Sequence, residues 1–220
     1  MPGAIIIGAG PGIGLSVARR FAREDPLIGL IARSQATVDA AFAVLADAGA
    51  QPTGVTADAA DESGLRAALD ELVARIGVPA ALVYNAARIQ ADAIGDLSTG
   101  EHLEAWAVNV VGAITAAAHL LPGMARAGGG SYLITGGMPT PLPGVTSLSL
   151  GKAGVRALAQ LLASQWEPAG IHVATVTVGG HVVPGSTIDP DDIAEHYWRL
   201  HSQPPGSWDT EFLFSGGAQP

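Results

Sequence analysis

The chain contains one lysine, Lys152, which lies in the segment SLSLGKAGVRALAQLLA at 147–163. The other ten basic residues are arginines. The leucines, alanines and valines around Lys152 have helical spacing, which predicts a largely apolar helix with a single cation in its first turns. In a chain that otherwise uses arginine, this position indicates a requirement for a primary ammonium group.

A glycine-rich loop, GAGPGIG at 8–14, follows the first apolar run. Gly8, Gly12 and Gly14 would allow a tight turn and let the backbone approach a diphosphate at the N-terminus of the next helix. A purely structural turn is the alternative interpretation. The position of the loop, between a predicted strand and a predicted helix, favours dinucleotide binding.

The second predicted strand ends in LIARSQ at 30–35, with Arg33 and Ser34 and no acid nearby. Sites selective for NAD usually place an Asp or Glu here to bond the ribose hydroxyls. An arginine can instead contact a 2′-phosphate through two hydrogen bonds. The alternative is a solvated surface arginine. We predict NADP (NADPH) as the cofactor in preference to NAD.

The composition is that of one globular domain. The 220 residues are 48% hydrophobic and 14% charged, enough apolar material for a sizeable core. A net charge of −9 argues against nucleic acid or an anionic membrane as a partner. The chain has no cysteine, and His196 and His201 are poorly spaced for one metal ion, so we expect neither a disulfide nor a metal site.

Short apolar runs alternate with longer amphipathic segments along the chain. Strands are predicted at 3–8, 27–32, 52–57, 80–85, 131–136 and 172–178, and helices near 13–24, 35–49, 61–76, 100–126 and 148–167. The runs are apolar on both faces, as in buried parallel strands. This order predicts an α/β Rossmann fold, a doubly wound parallel sheet with helices on both faces.

The last part of the chain differs from the rest. Residues 181–210 are rich in Pro, Asp and aromatic residues, and one helix is predicted from Pro190, capped by Asp189, to about His201. We predict a single domain at 1–220 in which 181–210 is a substrate lid, mobile until ligand binds. Tyr197, Trp198 and Trp208 are candidate walls of the pocket, and packing of the appendage onto the sheet is their alternative role.

The N-terminus has no basic region before its apolar run, and no apolar run approaches the roughly 20 residues needed to span a bilayer. We therefore expect a soluble cytoplasmic protein.

Four motifs make the sequence resemble the short-chain dehydrogenase/reductase family over roughly residues 3–185. They are the glycines of 8–14, Asp58 in TADAADESG, YNAA at 84–87 and Asn109 in WAVNVVG. The resemblance implies a homo-oligomer, dimer or tetramer, acting on a small-molecule substrate. It implies the following cofactor-binding residues: Gly8, Gly12, Ile13, Gly14, Arg33, Ser34, Asp58, Asn85, Ala86 and Lys152.

The resemblance also gives Lys152 a role, because in the family a lysine binds the nicotinamide ribose and lowers the pKa of a tyrosine four residues earlier. A planar guanidinium does not replace such an ammonium. Here the tyrosine position is Leu148, and the family's catalytic serine position falls on Gly136 or Gly137, with Thr135 as the nearest hydroxyl. Asn109 and Lys152 remain as the family's catalytic residues.

Several residues could supply the missing proton. His181 is a candidate because it follows the strand whose end normally borders the nicotinamide, although a loop histidine that holds backbone is the alternative. Ser147 and Ser149 are rotated about 100° from Leu148 on a helix, so neither simply replaces the tyrosine. Three functions stay open: an NADP-dependent oxidoreductase with a rebuilt acid, a non-redox cyclase, isomerase or dehydratase, and a non-catalytic NADP-binding or scaffold protein.

Overall fold

The computed structural model of the protein describes residues 3–216. The strands are β1 (Ala4–Ile7), β2 (Leu27–Ala32), β3 (Gln51–Thr56), β4 (Ala81–Tyr84), β5 (Gly130–Thr135), β6 (Ile171–Val178) and β7 (Glu211–Phe214). The helices are α1 (Ile13–Ala22), α2 (Gln35–Asp47), α3 (Glu62–Ile76), α4 (Thr99–Trp106), α5 (Gly112–Arg126), α6 (Thr146–Trp166) and α7 (Pro190–His201). A π-helical turn (Ala107–Val111) joins α4 to α5, and a 3₁₀ turn (Glu167–Ala169) follows α6.

The seven strands form one parallel sheet in the order β3-β2-β1-β4-β5-β6-β7. The predicted doubly wound Rossmann fold is confirmed. The chain reverses its direction of winding between β1 and β4, and this reversal opens a crevice at the carboxyl edge of the sheet.

The core has two parts, one on each face of the sheet. Alternate residues of the same strand enter different parts: Ile5 and Ile7 pack with α3 and α5, whereas Ile6 packs with α1 and α7. Both faces of the central strands are therefore covered by helices, which is why these runs are apolar throughout.

The predicted helix over 100–126 is interrupted by the π-helical turn, which contains Asn109. A π turn inserts one extra residue and changes the direction in which the following side chains point. The capping box of Ser98 and Glu101 fixes the start of α4.

The C-terminal segment needs a correction. Strand β7 was not predicted, and it pairs with β6 as the seventh strand of the sheet. Helix α7 begins at Pro190 with the Asp189 side chain as its cap, as predicted, but it packs on α1 and the second face of the sheet. The Tyr197 ring is fully buried there, because the apolar stripe of α7 covers sheet surface that no other helix shields.

The aromatic residues proposed as pocket walls therefore have packing roles. Trp198 contacts Phe21 edge to face at 5.3 Å between ring centroids, and Trp208 stacks on His172 at 5.2 Å. Within 181–210, Val182 lines the cleft described below. Any lid is thus confined to the connection between β6 and α7, and its mobility stays a prediction.

Candidate active site

An open cleft of about 830 Å³ runs along the carboxyl ends of the central strands. The glycine loop after β1 and the ends of β2 and β3 line one part of it. The loops after β4, β5 and β6 line the other part, together with Leu148 and Lys152 of α6. This is the crevice that the strand order predicts.

The glycine loop is built so that bare backbone faces the cleft. Gly8 has φ +90°, and a Cβ there would lie 2.4 Å from the Ala86 nitrogen. Gly12, with φ +114°, is the N-cap of α1, and a Cβ there would meet no atom within 4 Å. Both glycines and Ile13 line the cleft. A diphosphate could approach the N–H groups at the start of α1 closely, because Gly12 carries no side chain there.

Gly14 has a different role from the one predicted. It is not among the cleft-lining residues, and a Cβ there would lie 2.2 Å from the carbonyl oxygen of Gly8. Gly14 therefore lets α1 pack against the loop, and it supports the cofactor site without facing it.

Arg33, Ser34 and Asp58 all line the end of the cleft formed by β2 and β3. The Ser34 hydroxyl caps α2 by accepting a hydrogen bond from the Thr37 nitrogen at 3.3 Å. The Arg33 side chain is exposed and forms no ion pair with any described residue. Asp58 accepts a hydrogen bond from the Ala60 nitrogen at 2.9 Å, so its carboxylate is held in place.

A hydrogen-bonded chain crosses the floor of the cleft. Asn85 Nδ2 donates to the Gly8 carbonyl at 2.8 Å, so Asn85 Oδ1 must accept, and Thr135 Oγ1 donates to it at 2.8 Å. The Tyr197 hydroxyl lies 2.5 Å from Thr135 Oγ1. Since the Thr135 proton is already used, the Tyr197 hydroxyl is the donor. Asn85 and its neighbour Ala86, both predicted to bind the cofactor, line the cleft.

Lys152 lines the cleft and is only 8% exposed. Its Nζ donates to the carbonyl oxygen of Thr135 at 2.7 Å, and it has no carboxylate partner among the described residues. Burial lowers the pKa of Lys152 to about 8. Leu148, one helical turn earlier, also lines the cleft and carries no proton to donate.

Asn109 and His181, the other two predicted catalytic residues, do not line the cleft. Asn109 Oδ1 accepts from the Arg88 nitrogen at 2.8 Å, and the missing side chain of Gly151 makes room for it. Asn109 thus ties the loop after β4 to the π-helical turn, which packs against α6 at Gly151. His181 is exposed, although Gly180 and Val182 on either side of it line the cleft. His181 forms no side-chain hydrogen bond with Lys152, whose Nζ donates to Thr135.

The structure distinguishes the two glycines aligned with the missing serine. A Cβ at Gly136 would lie 2.5 Å from Thr177 Oγ1, whereas a Cβ at Gly137 would lie 3.6 Å from Lys152 Cγ, an ordinary contact. Gly137 is therefore the position with room for a side chain beside Lys152.

Two contributors to the site were missed or underrated. Arg156 Nη1 donates to the carbonyls of Gly137 at 2.5 Å and Met138 at 3.1 Å, which holds the loop after β5. Its spacing of four residues from Lys152 was the available signal, since both lie on one helix face. Thr135 was identified only as the nearest hydroxyl.

The two serines that flank Leu148 hydrogen-bond away from the cleft: Ser147 to Asp92, and Ser149 to the backbone of Leu142.

Residues 3–187 match the family model described as short chain dehydrogenase. The chain belongs to the short-chain dehydrogenase/reductase family. An oxidoreductase of Sarocladium schorii, asL5, is 32% identical over 173 residues, covering 77% of this chain and 68% of the relative. The probable galactose dehydrogenase GalD of Rhizobium meliloti (strain 1021) is 29% identical over 180 residues, covering 80% of this chain and 70% of the relative.

The fold agrees with solved structures of the family. L-sorbose reductase from Gluconobacter frateurii, solved with NADPH and L-sorbose, superposes with a TM-score of 0.91 at 22% identity, covering 98% of this chain and 95% of that one.

The helical run 99–126 has the length and composition of a membrane span, but 56% of its most apolar window is buried inside the fold. Such burial is that of the core helix of a soluble protein.

Proposed function

We propose that this chain is an NADP(H)-dependent oxidoreductase of small molecules in which Lys152 supplies the proton that the family's tyrosine would give. The observation that carries the proposal is the composition of one cleft. A bare glycine loop and Arg33 lie at one end, and Lys152 lies at the other. Membership of an oxidoreductase family supports the same activity.

The β2 end of the cleft supports a preference for NADP. Arg33 is free to meet a 2′-phosphate with paired N–H donors, and the Ser34 and Thr37 side chains line the cleft beside it. Asp58, the one acid among the described cleft-lining residues, follows β3 rather than β2. No carboxylate at the end of β2 would therefore repel a phosphate.

The other end of the cleft supports proton donation by Lys152. When bound, NADPH supplies the hydride that adds to a carbonyl carbon as the C=O electron pair moves to the oxygen. Lys152 holds a proton at Nζ beside the part of the cleft that would hold the carbonyl group, and its pKa of about 8 leaves it mostly protonated at neutral pH. A general acid acts best when its pKa lies near the working pH. Asn109 contributes indirectly, by fixing the Arg88 backbone.

Leu148 favours a second candidate, an NADP-binding protein without turnover, because it removes the phenol beside Lys152. The two candidates differ in what Lys152 must do. In the oxidoreductase, Lys152→Ala abolishes turnover. In the binding protein it only weakens the affinity for NADP.

Calorimetric titration with NADPH, NADP and NAD tests the cofactor assignment. We expect NADP to bind at least about tenfold more tightly than NAD, a difference of about 1.4 kcal/mol. Arg33→Ala should remove this difference, while the exposed Arg126→Ala, outside the cleft, should leave it unchanged. Equal affinities in the unmodified protein would overturn the NADP preference.

We also propose a homo-oligomer, dimer or tetramer, in the cytoplasm. Large apolar side chains are exposed on α4, the π-helical turn, α5 and α6: Leu103, Trp106, Val111, Ile114, Leu150 and Leu161. Apolar surface of this extent is unusual on a monomer. Its position on neighbouring helices supports pairing through α4, α5 and α6. Light scattering that gives about the 22.1 kDa of one chain would contradict the oligomer.

A further inference from the structure

The end of the cleft around Lys152, here called the reacting end, has apolar walls. These walls come from the loops after β4, β5 and β6, from the last residue of β6 and from α6, through the following side chains: Ala87, Ile89, Met138, Leu148, Val178 and Val182. The charged residues Arg33 and Asp58 lie at the opposite end, after β2 and β3. The reacting end therefore presents mainly hydrocarbon surface and one ammonium group.

Most of the hydrogen-bonding capacity of the side chains at the reacting end is already used within the protein. The Thr135 hydroxyl donates to Asn85 and accepts from Tyr197. Lys152 uses one of its three N–H groups on the Thr135 carbonyl, and the others remain for one ligand oxygen. Apart from these N–H groups and the second amide N–H of Asn85, the described side chains that line this end offer no free partner, so a substrate with several hydroxyls would leave most of them unpaired.

The apolar surface continues to the mouth of the cleft. Ile89 lines the cleft, and its side chain is 75% exposed. Val183, next to the cleft-lining Val182, is also exposed, as is Leu142 in the loop that follows Met138. Large apolar side chains left in water beside a concave site are typical of a surface that a ligand covers.

We propose that the substrate is an apolar carbonyl compound or the corresponding alcohol, with an alkyl or aryl body and its single polar atom at the reacting carbon. This inference rests on the proposed function. Polyhydroxylated ketones and sugars should bind more weakly, because each hydroxyl buried here without a partner lowers affinity by about tenfold.

The test is a binding titration of the NADP-loaded protein with two ketones of similar size, 4-phenylbutan-2-one and L-sorbose. We expect the aryl ketone to bind at least tenfold more tightly than the sugar. Ile89→Ser should weaken aryl ketone binding by about tenfold through loss of apolar contact. Ile94→Ser is the matched control, because Ile94 lies in the same loop, is 91% exposed and does not line the cleft. Neither change should alter NADPH affinity.

Sugar binding equal to or tighter than aryl ketone binding would overturn the inference. So would equal effects of the two isoleucine variants, or no ketone binding by a protein that does bind NADPH. Failure of NADPH binding would instead overturn the proposed function. The same titrations on cofactor-free protein would then still show whether the reacting end prefers the aryl ketone.

Discussion

Tyr197→Phe should weaken cofactor binding, although Tyr197 lies in α7 and does not line the cleft. Its hydroxyl begins the directed chain that passes through Thr135 and Asn85 to the carbonyl of Gly8 in the glycine loop. Burial raises the pKa of Tyr197 well above its usual range, so the phenol stays a neutral donor near neutral pH. Removing it leaves the Thr135 oxygen without its donor and frees Thr135 to rotate away from Asn85.

The magnitude follows from the loss of one buried hydrogen bond. Such a bond contributes about 1 kcal/mol, which corresponds to roughly a fivefold change in an equilibrium constant. We expect the dissociation constant for NADPH to rise by up to about fivefold. The free energy of unfolding should also fall by about 1 kcal/mol, because the variant loses a hydrogen bond from the core whether or not cofactor is bound.

Tyr132→Phe is the matched control. Tyr132 is equally buried, and its hydroxyl donates to the Ala113 carbonyl at 2.8 Å, outside the chain that leads to Gly8. Chemical denaturation should show similar destabilisation of both variants, whereas calorimetry should show weakened NADPH binding only for Tyr197→Phe. Thr135→Val should weaken binding further, and Thr135→Ser, which keeps the hydroxyl, should restore it. Equal NADPH affinities for the two phenylalanine variants would refute the reasoning.

Four further outcomes are expected. The rate of carbonyl reduction should fall as pH rises through about 8, because Lys152 loses its proton there, and a pH–rate profile without this break would contradict proton donation by Lys152. Burial lowers the pKa of His201 from 6.5 to about 4. The stability that this histidine contributes is therefore complete above pH 6.5 and should be lost as pH falls toward 4, by up to about 3 kcal/mol in denaturant titrations. His201→Asn should flatten this pH dependence. Leu148→Tyr combined with Gly137→Ser should raise NADPH oxidation on simple ketones, and Leu148→Tyr alone should do little, as spectrophotometric assays would show. Leu161→Glu should reduce the mass measured by light scattering, because Leu161 is 70% exposed on the proposed interface.

The sequence predicted the fold wherever local pattern and burial coincide. The central strands are covered on both faces, so their apolar runs stand out from the amphipathic helices between them. The loop at 8–14 was found because a strand, three glycines and a helix occur in direct succession. The cap of α7 was found because Asp189 precedes Pro190, a local signal that needs no knowledge of the fold.

The C-terminal elements could not be placed in the same way. Strand β7 has only four residues and alternates in exposure, and its place in the sheet depends on pairing with β6, more than thirty residues earlier in sequence. Helix α7 has an apolar stripe that fits a lid and a packed helix equally well. The ion pairs that join Arg20 of α1 and Arg23, the residue that caps α1, to Glu195 are contacts between distant segments. Sequence periodicity shows that a helix has an apolar face but not what covers it.

The hydrogen bonds of the cleft floor were hidden for the same reason. The three residues lie far apart in sequence: Thr135 ends β5, Asn85 follows β4 and Tyr197 lies in α7. Only the folded chain brings Thr135 within 2.8 Å of Asn85 and within 2.5 Å of Tyr197. Each residue alone is unremarkable in sequence. Asn85 was identified through the family motif, and that motif says nothing about its partners.

The buried ammonium of Lys152 gives the strongest physical reason to regard the cleft as functional rather than as a site that has lost its chemistry. Burial destabilises the charged form of this amine by about 3 kcal/mol, which is the free energy that corresponds to lowering its pKa from 10.5 to about 8. No carboxylate among the described residues pairs with the amine to offset this penalty. A leucine or methionine would fill the same space without that penalty if packing were its only role. Leu148 and Gly137 both line the cleft beside the amine and offer it no side-chain hydrogen bond, so apolar surface surrounds it. Leu148, Gly137 and Lys152 therefore fit the proposed arrangement, a single proton donor facing an apolar substrate.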